Sequence, residues 1–538
     1  MKHFFVFFLL ISLFSSSILF LCEKMDFLAL SEIPFNPRFE INSDGTLMLS
    51  WDRPNYPVLY KIETFQKTTG ILEETEKFRS LYTSYTYDNA VTLQSVSLPI
   101  FYRITAYGIF GRVQGPSDKI DNPLFPSLIR PISIYDYDES KKASLMPFLV
   151  WHKVPNGVCY ELEILSGNPD SEGGITLSKG NHLFSTRQIF TNGYQVDLRP
   201  FQNNPKLYWR VRALGLHHEP IGEFSETKPI YVDKNLPIPD RPLINDFDLM
   251  PNFEQPLYPA FDFIPLNGIN RYEVELTTKL PEVENNKEPS KDRAWFKILE
   301  NAITAYDEYP RPFAGPYYWR VRAIDANGNT IGSYSNTKKF EVKSREKRVR
   351  LAVFGDSITH GGGAVSYSPA SLEYSYNTYL DIPAINLGRS GDTSTTSKER
   401  FTRDVLFFKP KNLLILTGTN SLRTSLISAD DVISDIDAME RLAKENDIRP
   451  IFLTLMPINP ENIMFAFQIE TDPKWKEKLK KINDHIKTKP YHIDLEPFFY
   501  DGNGKLSAEF SIDGLHPDIK GKMLMAEIVN LHKNLIRE

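Results

Sequence analysis

The sequence contains little cysteine and no concentration of basic residues. Only Cys22 and Cys159 occur in 538 residues, which excludes a fold held by several disulfides, so each domain depends on its own core. The net charge of -6 is small for this length, and no lysine- or arginine-rich block occurs, which disfavours a nucleic-acid partner. Apolar residues make up 41% and charged residues 24% of the chain, as in folded globular proteins. This length predicts several domains.

The N-terminal residues predict export of the protein. Lys2 and His3 precede an apolar segment over residues 4–21, a pattern typical of a secretory signal peptide and long enough for a membrane anchor. Cys22 follows directly, as in a lipoprotein signal, although Leu21 stands where that signal has a small residue. We predict that residues 1–22 are a signal peptide or membrane anchor, and that the protein is secreted, periplasmic or attached to the envelope. The second cysteine, Cys159, lies in a strand-like stretch and is predicted to be a buried small hydrophobe.

Residues 33–344 contain a threefold repeat of aromatic residues within alternating apolar and polar stretches. Its markers are Trp51, Tyr60 and Tyr102, then Trp151, Tyr160 and Trp209, then Phe261, Tyr272 and Trp319. Alternation with period two predicts strands. Units of about a hundred residues with regularly spaced strands predict β-sandwiches.

These units resemble fibronectin type III domains in pattern and length. We predict three sandwich repeats, at 33–126, 127–236 and 237–344, and refer to them as modules 1, 2 and 3. One interpretation makes them spacers whose aromatic residues are core; the other makes them contact a glycan or another partner through exposed aromatic residues. The sequence favours the spacer interpretation, because nothing in the predicted loops converges on a binding or catalytic constellation.

From Val349 the pattern changes to apolar strands that alternate with amphipathic helices. The predicted strands are 350–355, 383–388, 412–418, 449–455 and 491–495. One predicted helix is capped by Ser428, one is opened by Asp472, and the last carries Leu524 through Leu535. This alternation predicts a parallel sheet covered on both faces, with any ligand beyond the carboxyl ends of the strands.

The residues that follow those strand ends can perform nucleophilic catalysis. A serine such as Ser357 needs a base within hydrogen-bond reach. His516 can be that base, and Asp513, three residues earlier on a tight loop, can orient it. The N–H groups of Ser357 and Gly391 and the amide of Asn420 are candidate donors to an oxyanion.

The blocks "GDSI", "NLGRSGDTS", "GTN" and "DGLHP", in this order, resemble those of the SGNH hydrolases, also called the GDSL esterase/lipase family. The resemblance implies a flavodoxin-like α/β domain over residues 349–538 that needs no cofactor and no metal. It also implies a triad of Ser357, His516 and Asp513 and an oxyanion hole formed by Ser357, Gly391 and Asn420. Many members have aspartate after the asparagine, where this sequence has Ser421.

Asp356 and His360, close to Ser357 in the sequence, are predicted to have no catalytic role. Asp356 is predicted to fix the loop through a hydrogen bond, and His360 to lie on the surface rather than to contact substrate. No G-x-S-x-G surrounds Ser357, which excludes an ordinary α/β-hydrolase.

The sequence thus predicts an exported serine esterase whose substrate is an acylated polysaccharide or another ester. Sandwich repeats joined to an SGNH domain resemble the layout of bacterial carbohydrate esterases, which favours a carbohydrate O-deacetylase. One alternative is a lipase or lysophospholipase-type esterase. For it, Met464, Phe465 and Phe467 could line an acyl pocket, although no long apolar lid is evident. The other is an adhesion or scaffold protein with an inactive hydrolase domain.

Overall fold

A computed structural model describes most of the chain from residue 35 onward. The described residues are 35–42, 46–52, 58–72, 76–93, 100–108, 111–112, 117, 119–122, 129–248, 254–345, 348–363 and 367–538. The predicted signal segment and Cys22 lie outside them. Within these ranges, no helix is long and apolar enough to cross a membrane. The chain forms two compact units, one with the strands up to residue 122 and one with the strands and helices from residue 129 onward.

The first unit consists of two antiparallel sheets. Its strands are β1 (Arg38–Ile41), β2 (Leu47–Ser50), β3 (Leu59–Thr69), β4 (Glu76–Thr86), β5 (Ala90–Leu93), β6 (Ile100–Gly108), β7 (Gly111–Arg112) and β8 (Ile120–Asp121). The sheet orders are β1-β2-β5 and β4-β3-β6-β7, with β8 also paired to β6. Trp51 is buried and meets Tyr60 edge-on at 5.0 Å, so the first predicted aromatic pair lies in a core.

The second unit begins with two further antiparallel β regions. The strands of module 2 are β9 (Phe148–Val150), β10 (Cys159–Leu165), β11 (His182–Ile189), β12 (Gly193–Gln195), β13 (Lys206–Leu214), β14 (Pro220–Ile221) and β15 (Lys228–Tyr231). Those of module 3 are β16 (Leu243–Ile244), β17 (Ala260–Ile264), β18 (Arg271–Thr277), β19 (Arg293–Glu300), β20 (Thr304–Tyr306), β21 (Gly315–Ala323) and β22 (Lys338–Val342). In both modules a small sheet accompanies a larger one, with orders β12-β9 and β11-β10-β13-β14, then β16-β17-β20 and β19-β18-β21-β22. In module 2, β15 also pairs with β13.

The repeat markers are core residues, with one shift of register in module 3. Trp151 meets Tyr160 at 5.2 Å, and the Tyr160 hydroxyl accepts the Val154 N–H. The same pair in module 3 is Phe263 with Tyr272 at 4.8 Å, whose hydroxyl accepts the Leu266 N–H. The predicted marker Phe261 was therefore two residues early. It points into the same core because alternate residues of a strand share a face.

Buried ion pairs occupy the other face of the large sheets in modules 2 and 3. The two carboxylates of "YELEI" and "YEVEL" lie opposite the two arginines of "YWRVRA", as the register Glu163↔Arg210 and Glu275↔Arg320 shows. The Nε–carboxylate distance is 2.7 Å in both pairs. The loops over residues 171–176 and 283–288 cover these pairs, because Arg210 and Arg320 donate to their backbone carbonyls.

Removing one of these buried carboxylates is expected to destabilise the protein strongly. Glu275→Ala leaves Arg320, which is fully buried, and Arg293 without their shared partner. An uncompensated buried charge costs about 3–5 kcal/mol, to be measured by urea unfolding followed through the tryptophans. Glu300→Ala, at the exposed end of β19, is the matched control, with an expected loss below about 0.5 kcal/mol. Equal losses in the two variants would contradict the prediction.

The C-terminal domain has a five-stranded parallel sheet with helices, as predicted. Its strands are β23 (Leu351–Gly355), β24 (Ile385–Asn386), β25 (Asn412–Leu416), β26 (Arg449–Leu453) and β27 (His492–Ile493). Its helices are α1 (Ser357–His360), α2 (Ser394–Phe408), α3 (Thr419–Arg423), α4 (Ala429–Glu445), α5 (Pro460–Phe467), α6 (Trp475–Lys487) and α7 (Ile519–Leu531). The strand order β24-β23-β25-β26-β27 is flavodoxin-like, with all pairs parallel. All five predicted strands are present.

The helix ends confirm one cap and correct two boundaries. The Ser428 side chain accepts the Asp431 N–H and caps α4. The helix predicted from Asp472 begins at Trp475, because the Asp472 carboxylate takes the Lys474 N–H in a turn before it. The last helix ends at Leu531, and Leu535 lies in a separate 3-10 turn.

Candidate active site

Ser357 lies at the carboxyl end of the first strand of the parallel sheet. Gly355 ends β23, where a Cβ would stand 1.9 Å from the Leu416 carbonyl of β25, so only glycine permits this approach. Asp356 caps α1 by accepting the Ile358 N–H at 3.0 Å, as predicted. Burial raises the pKa of Asp356 to about 6. The serine is thereby fixed at the strand-to-helix turn, the place where ligands bind in such sheets.

His516 and Asp513 meet Ser357 from the loop before α7. Ser357 Oγ lies 3.0 Å from His516 Nε2, and His516 Nδ1 lies 2.9 Å from Asp513 Oδ2. The other carboxylate oxygen accepts the N–H groups of Leu515 and His516, both at 2.8 Å. Since a carboxylate only accepts, Nδ1 carries the hydrogen and Nε2 faces the serine as an acceptor. This arrangement can remove the proton of the hydroxyl group.

Asp513 is buried yet ionised. Burial tends to raise its pKa, but the electrostatic interaction with His516 and the hydrogen bonds from His516 and Leu515 outweigh this and hold the pKa below its usual range. Lys522 on α7 is also fully buried and donates to the Ile358 carbonyl at 2.6 Å. Its ammonium group interacts with the charges of Asp356 and Asp513, while burial lowers its pKa to about 7. The sequence did not reveal Lys522, because a single lysine on an apolar helix is usually exposed.

Two backbone N–H groups of the site have no hydrogen-bond acceptor among the described residues, those of Ser357 and Gly391. Gly391 lies in the loop 388–392 between β24 and α2, and its φ of 88° is one that residues with a Cβ rarely adopt. No atom lies within 4 Å of where a Cβ would stand, so space is open beside this peptide. The glycine is therefore required by the backbone conformation as well as by access.

Asn420, at the start of α3, is attached to the same loop. Its Nδ2 donates to the Asp392 carbonyl at 2.9 Å, and its Oδ1 accepts from Arg423 Nη2 at 2.6 Å. Ser421 accepts the Ser394 N–H at 3.0 Å and so connects α3 to α2. Arg423 therefore holds the amide in a fixed orientation. The sequence missed this role, because an arginine one helical turn after Asn420 resembles a solvated side chain.

His360 is not on the surface as predicted but 1% exposed. Its Nε2 lies 2.7 Å from the Tyr258 carbonyl, and its Nδ1 accepts the Ser390 N–H at 3.1 Å. Burial lowers the pKa of His360 to about 4, so the ring is neutral at physiological pH. The residue packs between module 3 and the loop 388–392, an environment that no local pattern could reveal.

Apolar side chains line part of the surroundings of the serine–histidine pair. The Phe467 ring lies 5.9 Å from the His516 ring. Met464 and Phe465 on α5 are exposed, and the His217 ring of module 2 lies 4.3 Å from the Phe465 ring, tilted by 52°. In the segment 359–376, which follows Ser357, residues 364–366 lie outside the described residues, and Tyr374 is core. Cys159 is buried as predicted, and burial raises the pKa of its thiol to about 11.

Comparison with known proteins places this domain in a family. The profile of the GDSL-like lipase/acylhydrolase family matches residues 353–524. None of the curated proteins matches the chain. A putative acylhydrolase from Bacteroides fragilis is 24% identical, with 36% of this chain and 91% of that chain covered and a TM-score of 0.29.

Two further solved structures are similar over a comparable share of the chain. The lipase/acylhydrolase from Enterococcus faecalis is 23% identical, with 34% of this chain and 94% of that chain covered, at a TM-score of 0.28. An acetylxylan esterase from Geobacillus stearothermophilus, in a catalytic mutant, is 20% identical, with 35% and 96% covered, at a TM-score of 0.26. On the family match, the C-terminal domain is a GDSL-like lipase/acylhydrolase domain, a serine hydrolase that acts on ester bonds.

Proposed function

We propose that Ser357, His516 and Asp513 form the catalytic triad of this esterase. The observation that carries the proposal is the continuous hydrogen-bonded path from the serine hydroxyl through both ring nitrogens to the buried carboxylate, with distances of 3.0 and 2.9 Å. The path lies at the carboxyl end of β23. We assign the oxyanion hole to the free N–H groups of Ser357 and Gly391 and to the amide of Asn420.

The reaction follows from these positions. His516 Nε2 takes the proton of Ser357 as Oγ attacks the acyl carbonyl carbon, and the carbonyl oxygen becomes an oxyanion. The three donors stabilise that oxyanion. The same proton then passes to the leaving alcohol as its bond to the acyl group breaks. Water, deprotonated by His516 Nε2, then attacks the acyl carbonyl carbon. The bond to Ser357 Oγ breaks, the acyl group leaves as a carboxylic acid, and the imidazolium returns the proton to Oγ.

For the substrate, we propose acetyl esters on a polysaccharide outside the cytoplasm. Two features support this choice: the export pattern of residues 1–22, and the sandwich modules that precede the hydrolase domain. The described residues form no long apolar lid helix over the site, which accords with a small acyl group and a bulky alcohol. The apolar helix next to the site, α5 (Pro460–Phe467), has only about two helical turns.

The first test compares the wild type with Ser357→Ala on p-nitrophenyl acetate. We expect kcat to fall by about 10⁶-fold, because the residual rate comes only from binding and oxyanion stabilisation. Ser140→Ala, on an exposed turn of module 2, is the matched control and should retain full turnover. A wild type without serine-dependent turnover would instead support a scaffold protein with an inactive domain.

A second candidate is a lipase or lysophospholipase-type esterase. The observation that favours it is the exposed apolar surface of Met464 and Phe465 on α5, next to Phe467 at the histidine. Comparison of acetyl with octanoyl p-nitrophenyl esters separates the two, and higher kcat/KM for octanoyl would overturn the deacetylase. Acetate release from a panel of acetylated glycans would then identify the polysaccharide.

A further inference from the structure

A buried contact joins module 3 to the loop that carries Gly391. The residues before β17 run alongside the C-terminal domain, where the Leu257 N–H donates to the Asn386 carbonyl at 2.9 Å. The next residue, Tyr258, is fully buried, and its backbone carbonyl accepts a hydrogen bond from His360 Nε2 at 2.7 Å. Module 3 thus reaches α1 and the end of β24 with main-chain groups.

The Tyr258 carbonyl determines which nitrogen of His360 carries the hydrogen. A carbonyl oxygen only accepts, so Nε2 must be the donor, and in a neutral ring Nδ1 is then an acceptor. That acceptor takes the Ser390 N–H at 3.1 Å, with Ser390 Oγ at 2.9 Å. The opposite tautomer would place two donors at Ser390 and leave the Tyr258 carbonyl unpaired in a buried place. The ring therefore bridges the Tyr258 carbonyl of module 3 and the Ser390 N–H, so the position of Ser390 depends on module 3.

The side chain of Tyr258 is fixed in the same region. Its hydroxyl donates to Asp404 and accepts from Arg403, and the guanidinium of Arg400 lies 5.5 Å from its ring centroid. Arg400 in turn holds the far end of the loop by donating to Asp392 Oδ2 at 2.5 Å. Arg400 also donates to the Leu387 and Gly355 carbonyls.

We propose that module 3 is part of the catalytic machinery, with His360 and Tyr258 as positioning residues for the Ser390–Gly391 peptide. The inference rests on the proposed function, in which the Gly391 N–H stabilises the oxyanion. It differs from the spacer interpretation that the sequence favoured. In this proposal, module 3 helps the C-terminal domain to stabilise the transition state and does not contribute to substrate affinity.

The decisive variant is His360→Gln in the full chain. Glutamine Nε2 can still reach the Tyr258 carbonyl, but no acceptor remains at the position of Nδ1, so Ser390 loses its anchor. We expect kcat on p-nitrophenyl acetate to fall about 10- to 100-fold, since small displacement of an oxyanion donor is costly. KM should stay within about threefold.

Two controls separate positioning from general stability. His152→Gln changes another buried histidine, 2% exposed, whose Nδ1 contacts Asp248 at 2.8 Å within modules 2 and 3. It is expected to lower the melting temperature without lowering kcat at 25 °C. Tyr258→Phe removes only the hydroxyl contacts and should lower kcat with KM unchanged, by a smaller factor than His360→Gln.

Binding of an aryl boronic acid, which forms a tetrahedral adduct with an active serine, is the second readout. Its affinity should fall in His360→Gln in parallel with kcat, because both depend on the oxyanion donors. The inference is overturned if His360→Gln keeps kcat and boronate affinity within twofold, or if its loss appears only in KM. Failure of the proposed function is a different result, namely equal turnover in the wild type and Ser357→Ala.

Discussion

Asp513→Asn is expected to lower kcat about 10⁴-fold at pH 7 while the fold is retained, as for the corresponding change in other triads. Asparagine can keep its oxygen on the N–H groups of Leu515 and His516, which now bind Oδ1 at 2.8 Å. Its amide nitrogen then faces His516 Nδ1, and because this group donates, the ring must carry its hydrogen on Nε2. A protonated Nε2 cannot accept the proton of Ser357.

The adjacent loop provides a matched control for this prediction in Asp518→Asn. Asp518 is buried like Asp513, but burial and the charge of Asp513 raise its pKa to about 8, so it is mostly neutral at pH 7. An amide is close to a neutral acid in shape and charge, and it can still accept the Ile512 N–H. We expect kcat within about threefold of the wild type, measured with p-nitrophenyl acetate. Similar losses in both variants would show that the loop tolerates no change, and would refute a specific role for Asp513.

The difference between the two aspartates illustrates what the sequence could and could not predict. The proximity of Ser357, Asp513 and His516 was predictable, because strand ends of a parallel sheet converge and the "DGLH" spacing turns a carboxylate back onto its histidine. Asp518, two residues after His516, carries the same functional group, yet its environment makes it neutral. That environment depends on burial at the start of α7 and on the nearby charge of Asp513, which no local spacing encodes.

Long-range contacts explain the other omissions. His360 pairs with a backbone carbonyl of Tyr258, about a hundred residues away, so "THGGG" gave no sign that the ring is buried. Arg423 resembles a solvated helix residue until its contact with Asn420 is seen. The alternation in modules 2 and 3 predicted strands correctly, but it gave no sign that Glu163 and Glu275 are buried. Alternation identifies two faces and does not show that loops cover the second.

Replacing Asn420 with alanine is expected to lower kcat by about 10²- to 10³-fold, with little change in KM. Removing one donor from an oxyanion hole has this cost, because the hydrogen bond strengthens only as negative charge develops on the substrate oxygen. The alanine variant also loses the contact with the Asp392 carbonyl, so thermal unfolding must be measured alongside kinetics. Asn503→Ala, on an exposed turn, serves as the matched control.

Arg423→Met tests whether the Asn420 amide needs the hydrogen bond from Arg423 to act in this site. Arg423 Nη2 donates to Asn420 Oδ1, which fixes the orientation of the amide so that its nitrogen acts as the donor. Without the arginine, the amide can turn and present its oxygen to the substrate oxyanion, so a smaller loss in kcat, about tenfold, is expected. In the double variant Asn420→Ala/Arg423→Met the second change should add little, because both act through one hydrogen bond. Fully additive losses would mean that the arginine acts on the substrate independently of Asn420.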